Sequence, residues 1–328
     1  MKNRCQGNLT VSSLKHTLEP WSHEEEGICL RGWMTPDCGR NDRPVIHFLH
    51  GTGLSNLTYW PFLQHFEKDY DLFLNSIEGH GDSDTGSRRN SHEWNRLADR
   101  CFRAYQSQRA NWGSVPVIGM GHSLGAILTL LMQERSVIQD KSVLQDEATV
   151  LKRPARHFDQ YILLDPVIYP KPLIATMRML SGLRMSKHVP VVRKAHQRRH
   201  QWPSRDAALD NLRGRGAFKN WSEESLVAYI DHGLCASTDG SWQLRCSPWL
   251  EARLFAGYPK KLWSAITRLP QGTEIIHSED TYSFIPPTVR KAEKANPNIH
   301  LSVSDGGHCF MQEFPKRSYQ QVVDLIRF

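Results

Sequence analysis

The chain has no long hydrophobic run. Its most apolar region, Val117 to Met132, is broken by His122, Ser123 and glycines well before the roughly 18 uninterrupted apolar residues that cross a bilayer. No membrane span is therefore expected. The N-terminal region carries Lys2, Arg4, Lys15 and His16 but lacks the apolar core of about 7 to 15 residues that a secretory leader needs, so export by that route is not expected. The 7 cysteines (Cys5, Cys29, Cys38, Cys101, Cys235, Cys246 and Cys309) are odd in number and lack any CxxC or Cys/His ligand spacing. That pattern argues against a disulfide framework and a zinc site, and for a reducing, cytoplasmic setting. Repeats and low-complexity tracts are missing as well.

What is there is the composition of an ordinary globular protein: 328 residues, 39% of them hydrophobic, with 22 glycines. The length allows one large domain or a core with a second lobe. The net charge of +7 is unevenly spread, because Pro166 to Lys260 hold 15 Lys/Arg against 7 Asp/Glu while the rest of the chain is close to neutral. Such a segment attracts anions or simply solvates helices. It has no phosphate-binding motif and no regular aromatic interleaving, so a solvated helical surface is the expectation and a nucleic-acid partner is not.

Apolar runs of strand length alternate with helix-length segments, the pattern of a mostly parallel sheet with helices on its faces. Strands are expected at Val45 to His50, Tyr70 to Ser76, Val115 to Met120, Phe158 to Asp165, Thr273 to His277 and Ile299 to Ser304. Helices are expected at Leu57 to Glu67, Ser91 to Arg109, Leu124 to Glu134 and Pro315 to Ile326. His16 to Trp21 and Ile28 to Trp33 read as an edge hairpin. The alternation stops after Asp165 and resumes near Leu269, which divides the chain into a first core part (1–165), a basic, mainly helical insert (166–268) and a second core part (269–328). An insert at that point is expected to lie over the carboxyl ends of the strands, where open α/β sheets bind ligands.

The sharpest chemical signal is Gly121, His122, Ser123, Leu124, Gly125, a G-x-S-x-G between a strand and an apolar helix. In that turn the serine projects from a strained backbone at a helix N-terminus, where free N–H groups favour a developing anion. A serine hydroxyl needs a histidine base, and the histidine needs a carboxylate that fixes its tautomer. His308, after Gly306 and Gly307 and just beyond the last strand, is the candidate base. Asp280, just after the strand Thr273 to His277 and at the start of a loop ending in Pro286 and Pro287, is the first candidate for the acid. Asp165, at the end of the preceding strand, is the serious alternative, followed by Glu279 and Asp305. Oxyanion N–H donors are expected from Leu124 and from the loop His50, Gly51, Thr52, Gly53, with Thr52 ahead of Gly53. Cys309 reads as a packed thiol.

Together these residues resemble the α/β-hydrolase superfamily over nearly the whole chain, from Val45 to Phe328. His50–Gly51 is similar to its oxyanion loop, and Glu78, Gly79, His80, Gly81, Asp82, Ser83 to its Gly-His-Gly-x-Ser turn. Gly121 to Gly125 resembles its elbow. Ser278, Glu279, Asp280 and Gly307, His308 resemble its acid and base loops. The resemblance implies the α/β-hydrolase fold, with the insert as a mainly helical cap. Ser123 stands where members that open epoxides or displace halides carry aspartate, and the acid loop lacks the glycine many relatives have there.

The implied activity is hydrolysis of a carboxylic ester or related acyl bond of a small molecule, with no cofactor and no metal. Thioester, amide or carbon–carbon bond cleavage on the same triad stays open, as does sensing of a small molecule without turnover. The substrate is not legible, because the cap supplies the pocket walls. Within it, Trp202, Trp221, Trp242, Trp249 and Trp263 serve packing or an acyl pocket, and Arg178, Arg184, Arg193, Arg198 and Arg199 either meet a substrate carboxylate or face water. No function is read into Arg135 to His157.

Overall fold

Short runs that are buried at every position build the centre of the molecule. The strands β3 (Val45–Leu49), β4 (Asp71–Asn75), β5 (Val117–His122) and β6 (Gln160–Leu164) have no exposed residue, as befits parallel strands covered on both faces. The computed structural model describes residues 17–86, 92–143, 157–183 and 185–328, with 134–143 as backbone only. Including the hairpin β1 (Glu19–Glu25) and β2 (Ile28–Met34), and the strands β10 (Thr273–Asp280) and β11 (Ile299–Gly307), the main sheet has 8 strands in the order β1-β2-β4-β3-β5-β6-β10-β11. β1 pairs antiparallel with β2, and β2 with β4; the remaining pairs are parallel.

Two apolar layers sandwich this sheet. One gathers α2 (Trp94–Arg109) and α3 (Leu124–Val143) through Leu97, Phe102, Leu128 and Leu131. The other gathers α1 (Trp60–Leu63), α11 (Phe310–Glu313) and α12 (Pro315–Val323) through Phe62, Phe310 and Val322. The helix expected over Leu57 to Glu67 is broken into α1 between two 3₁₀ turns. Pro61, with no N–H to donate, starts a new helix rather than continuing the preceding turn. For the same reason Pro286 and Pro287 do not end a loop: they sit in the first turn of a further helix, α10 (Ile285–Ala295). Of the Arg135 to His157 stretch, α3 takes up the beginning, and 144–156 lie outside the described residues.

Between β6 and β10 the chain leaves the main sheet. It forms α4 (Lys171–Gly182), α5 (Pro190–Gln197), α6 (Arg205–Leu212), α7 (Glu223–Gly233), α8 (Pro248–Phe255) and α9 (Leu262–Ile266). It also forms a small antiparallel sheet of β7 (Gln201–Trp202), β9 (Trp242–Leu244) and β8 (Leu234–Ala236). Strands of two or three residues are too short to leave an alternation in the sequence. The insert has its own apolar cluster of Trp202, Phe218, Tyr229 and Leu244, with Trp221 and Trp242 packed against it. Trp202 Nε1 donates to Asn211 and Trp263 Nε1 to the Tyr169 carbonyl, so these tryptophans serve packing.

Part of the insert's basic charge is held in ion pairs, Arg205–Asp231, Arg213–Glu223 and Arg198–Glu251 within it and Arg245–Asp82 and Lys260–Glu93 to the core. Arg184 lies outside the described residues. No described helix is long and apolar enough to cross a membrane. Cys29, Cys38, Cys101, Cys246 and Cys309 carry free thiols.

Candidate active site

The turn from β5 into α3 places Ser123 at φ 56°, in the left-handed region that costs an L-residue free energy unless the surroundings hold it there. They do. A Cβ on Gly125 would sit 2.1 Å from the Leu49 carbonyl oxygen, and one on Gly121 would sit 2.5 Å from the Gly125 carbonyl group. Only glycines let strand and helix approach this closely around the serine. The Ser123 N–H donates to Leu164 O at 3.0 Å, locking the turn to β6.

His308, just past β11, presents Nε2 at 2.9 Å from Ser123 Oγ. Its Nδ1 lies 2.5 Å from Asp165 Oδ2. The structure thus brings together Ser123, His308 and Asp165, not Asp280. The expectation for Asp280 fails because β10 runs on past His277 to Asp280 with a bulge between Ser278 and Asp280, leaving Glu279 and Asp280 exposed. Asp305 is taken up by Arg317.

Asp165 is fully buried directly after β6, where β10 and β11 lie alongside. The Ser278 N–H donates to its Oδ1 at 3.0 Å, and the Thr281 hydroxyl donates to its Oδ2. The same oxygen faces His308, so the carboxylate is fixed by three groups. Glu313 steadies the other side of the His308 loop, both of its carboxylate oxygens accepting from the Gly307 N–H at 3.2 Å. Thr281 and Glu313 carried no recognisable signal in the sequence, since their roles depend on contacts between distant segments.

The loop after β3 is pinned amide by amide. Gly51 N–H donates to Tyr59 Oη at 3.0 Å, Gly53 N–H to His80 Nε2 at 3.1 Å, and Leu54 N–H to Gly51 O at 3.3 Å. Gly53 is thereby occupied, which leaves the Thr52 N–H as the donor of this loop without a hydrogen bond among the described residues. His80 accepts here as a neutral imidazole, because burial pushes its pKa down to about 4. Cys309, beside His308, is no rival nucleophile: burial raises its thiol pKa to about 12.

From the insert, Arg198 and Glu251 reach this loop. Arg198 Nη1 donates to both Glu251 oxygens at 2.8 and 2.7 Å and its Nη2 to Tyr229 Oη at 3.3 Å. A Cβ on Gly53 would stand 3.1 Å from Glu251 Oε1. The arginine beside the candidate site is therefore charge-paired already.

The model of the Alpha/beta hydrolase family matches residues 48–321, and the chain belongs to that family. No curated protein matches it. Among solved structures it is similar to E-2-(acetamidomethylene)succinate hydrolase, at a TM-score of 0.69 and 16% identity over 94% of this chain and 98% of the other. It is also similar to a thioesterase domain from the curacin biosynthetic pathway (TM-score 0.67, 16% identity, 94% and 99% covered). A third is an M. tuberculosis esterase (TM-score 0.65, 15% identity, 94% and 92% covered). The fold is that of the α/β hydrolases, and the family supports hydrolase activity on a small molecule.

Proposed function

We propose that this protein is a serine hydrolase that cleaves a carboxylic ester or related acyl bond of a small molecule through an acyl-enzyme. The observation that carries the reading is the continuous line of hydrogen-bonding atoms from Ser123 Oγ to His308 Nε2, at 2.9 Å, and from His308 Nδ1 to Asp165 Oδ2, at 2.5 Å. His308 takes the Ser123 proton as the oxygen attacks the carbonyl carbon, then delivers it to the leaving group. Asp165, acceptor-only when ionised, holds the proton of His308 on Nδ1, which keeps Nε2 free to act as base. The Thr52 and Leu124 N–H groups receive the oxyanion, each worth about 3 to 4 kcal/mol of barrier in such sites. Water repeats the sequence on the acyl-enzyme, so no step calls on a cofactor or metal. The segment 166–268 acts as the cap, and it bounds the acyl pocket.

Esters lead over amides and carbon–carbon bonds because their leaving group needs less help from the general acid, and a thioester asks no more of the site than an ester does. The test is labelling with a fluorophosphonate beside turnover of short-chain nitrophenyl esters by wild type and Ser123→Ala. Both signals appear in the wild type and vanish in the variant. A folded wild type that neither labels nor turns over sinks the reading and favours ligand sensing without chemistry.

A further inference from the structure

A second chain of hydrogen bonds runs behind the Ser123–His308–Asp165 line, and no step of the proposed reaction uses it. Gly51 N–H donates to Tyr59 Oη at 3.0 Å, Tyr59 Oη lies 2.6 Å from His122 Nδ1, and His122 Nε2 lies 2.8 Å from the main-chain oxygen of His308. Tyr59 and His122 are both about 1% exposed.

The carbonyl at one end fixes every proton in the chain. A carbonyl oxygen only accepts, so His122 Nε2 carries hydrogen. Burial and the neighbouring His308 hold the His122 pKa well below its ordinary 6.5, so the ring is neutral and Nδ1 accepts. Tyr59 must then donate to Nδ1, and its lone pair receives the Gly51 N–H. The bonds run in one direction, from the loop that carries Thr52, through the residue preceding Ser123, to the backbone of the base.

We propose that His122 and Tyr59 are positioning residues that hold the oxyanion loop and the His308 backbone in register with Ser123. The proposal rests on the serine-hydrolase reading. Its physical basis is that three groups from separate segments must meet within a fraction of an ångström, and a misplacement of about 1 Å costs on the order of a hundredfold in rate.

Two substitutions at one site separate the bonds. In His122→Asn the amide stands where Nδ1 was and keeps an acceptor for Tyr59, but nothing reaches the His308 carbonyl. In His122→Gln the side-chain NH₂ stands where Nε2 was and restores that donor. With p-nitrophenyl acetate, His122→Asn and Tyr59→Phe lower kcat about 10- to 100-fold with KM within about threefold, and His122→Gln, which keeps the donor to the His308 carbonyl but leaves the Tyr59 hydroxyl without its acceptor, falls between these and the wild type. Fluorophosphonate labelling rates follow the same order.

If His122→Asn, Tyr59→Phe or His122→Gln keeps wild-type kcat, the positioning role is wrong while the serine-hydrolase reading stands. A wild type without label or turnover sinks that reading instead. Independently of turnover, ¹⁵N spectra of wild-type histidines at neutral pH show His122 as the neutral Nε2–H tautomer. An Nδ1–H or doubly protonated ring overturns the bond chain itself, and serves where a variant fails to fold.

Discussion

Asp165 Oδ2 lies 2.5 Å from His308 Nδ1 although 143 positions separate the two residues. The carboxylate comes from the end of β6, and the imidazole from beyond β11, two strands away in the sheet. The strand between them, β10, supplies the Ser278 N–H and leads into Thr281, which together hold the carboxylate in place. Which carboxylate meets His308 is thus set by which strands are neighbours.

Substituting the two candidate acids separates them. Asp165→Asn loses about a thousandfold or more in kcat, because the amide cannot hold the His308 proton on Nδ1. Asp280→Asn changes kcat less than about threefold, as befits an exposed carboxylate away from the imidazole. Steady-state kinetics on a nitrophenyl ester decide it, and a large loss in Asp280→Asn with an active Asp165→Asn reverses the assignment.

Thr281→Val removes the hydroxyl that donates to Asp165 while keeping the shape of the side chain. One oxygen of the buried carboxylate then loses a donor, and kcat falls about tenfold, an effect of the size of a lost charge-assisted hydrogen bond. Equal kcat values for the two proteins would show that Ser278 and His308 suffice to orient Asp165.

Gly125→Ala puts a methyl group 2.1 Å from the Leu49 carbonyl oxygen, a backbone atom that cannot swing aside. The elbow must open, and stability falls by about 2 kcal/mol or more. Urea unfolding measures the loss, and a midpoint equal to wild type would show that the turn has slack.

Glu78 and Arg100 form an ion pair with side chains 1% and 3% exposed. Glu78→Gln leaves Arg100 charged and underpaired in the interior, and unfolding at neutral pH shows a loss of about 3 to 5 kcal/mol. In the folded protein the Glu78 carboxyl lies below its ordinary 4.5: burial raises it, but His92 and Arg100 outweigh burial. Its stabilisation is therefore complete above pH 4.5 and disappears as the pH falls through the lower folded value, so the gap between wild type and variant narrows in acid. A pH-independent gap would assign the loss to packing.

Buried histidines make the fold acid-labile, His47, His50, His80, His122 and His232 all being held below the ordinary 6.5 by burial. Burial lowers the pKa of His47 to about 3 and those of His80 and His232 to about 4. Between the unfolded value near 6.5 and these values the unfolded chain binds protons that the folded protein refuses, so stability falls steadily from pH 6.5 towards 4. His47 sits among Phe73, Tyr105 and Phe158, with neither ring nitrogen hydrogen-bonded among the described residues. His47→Phe therefore raises the urea midpoint, and by more at pH 4.5 than at pH 7. An equal gain at both pH values would remove His47 from the acid response.

The sequence by itself determined the alternation of buried strands with helices, the serine-bearing elbow, the candidate base and the place where the insert leaves the sheet. Each of these is local: Gly121 to Gly125 act on their own turn, and a buried parallel strand shows as an apolar run wherever it pairs. Only the tertiary structure decided between Asp165 and Asp280, because the choice turns on how far β10 runs beside β11 and on which side chains it leaves exposed. The same holds for the Tyr59–His122 bonds, the small sheet in the insert and the pairing of Arg198 with Glu251 beside Gly53. Spacing along a chain carries no record of contacts between segments far apart in it, and those contacts set the site.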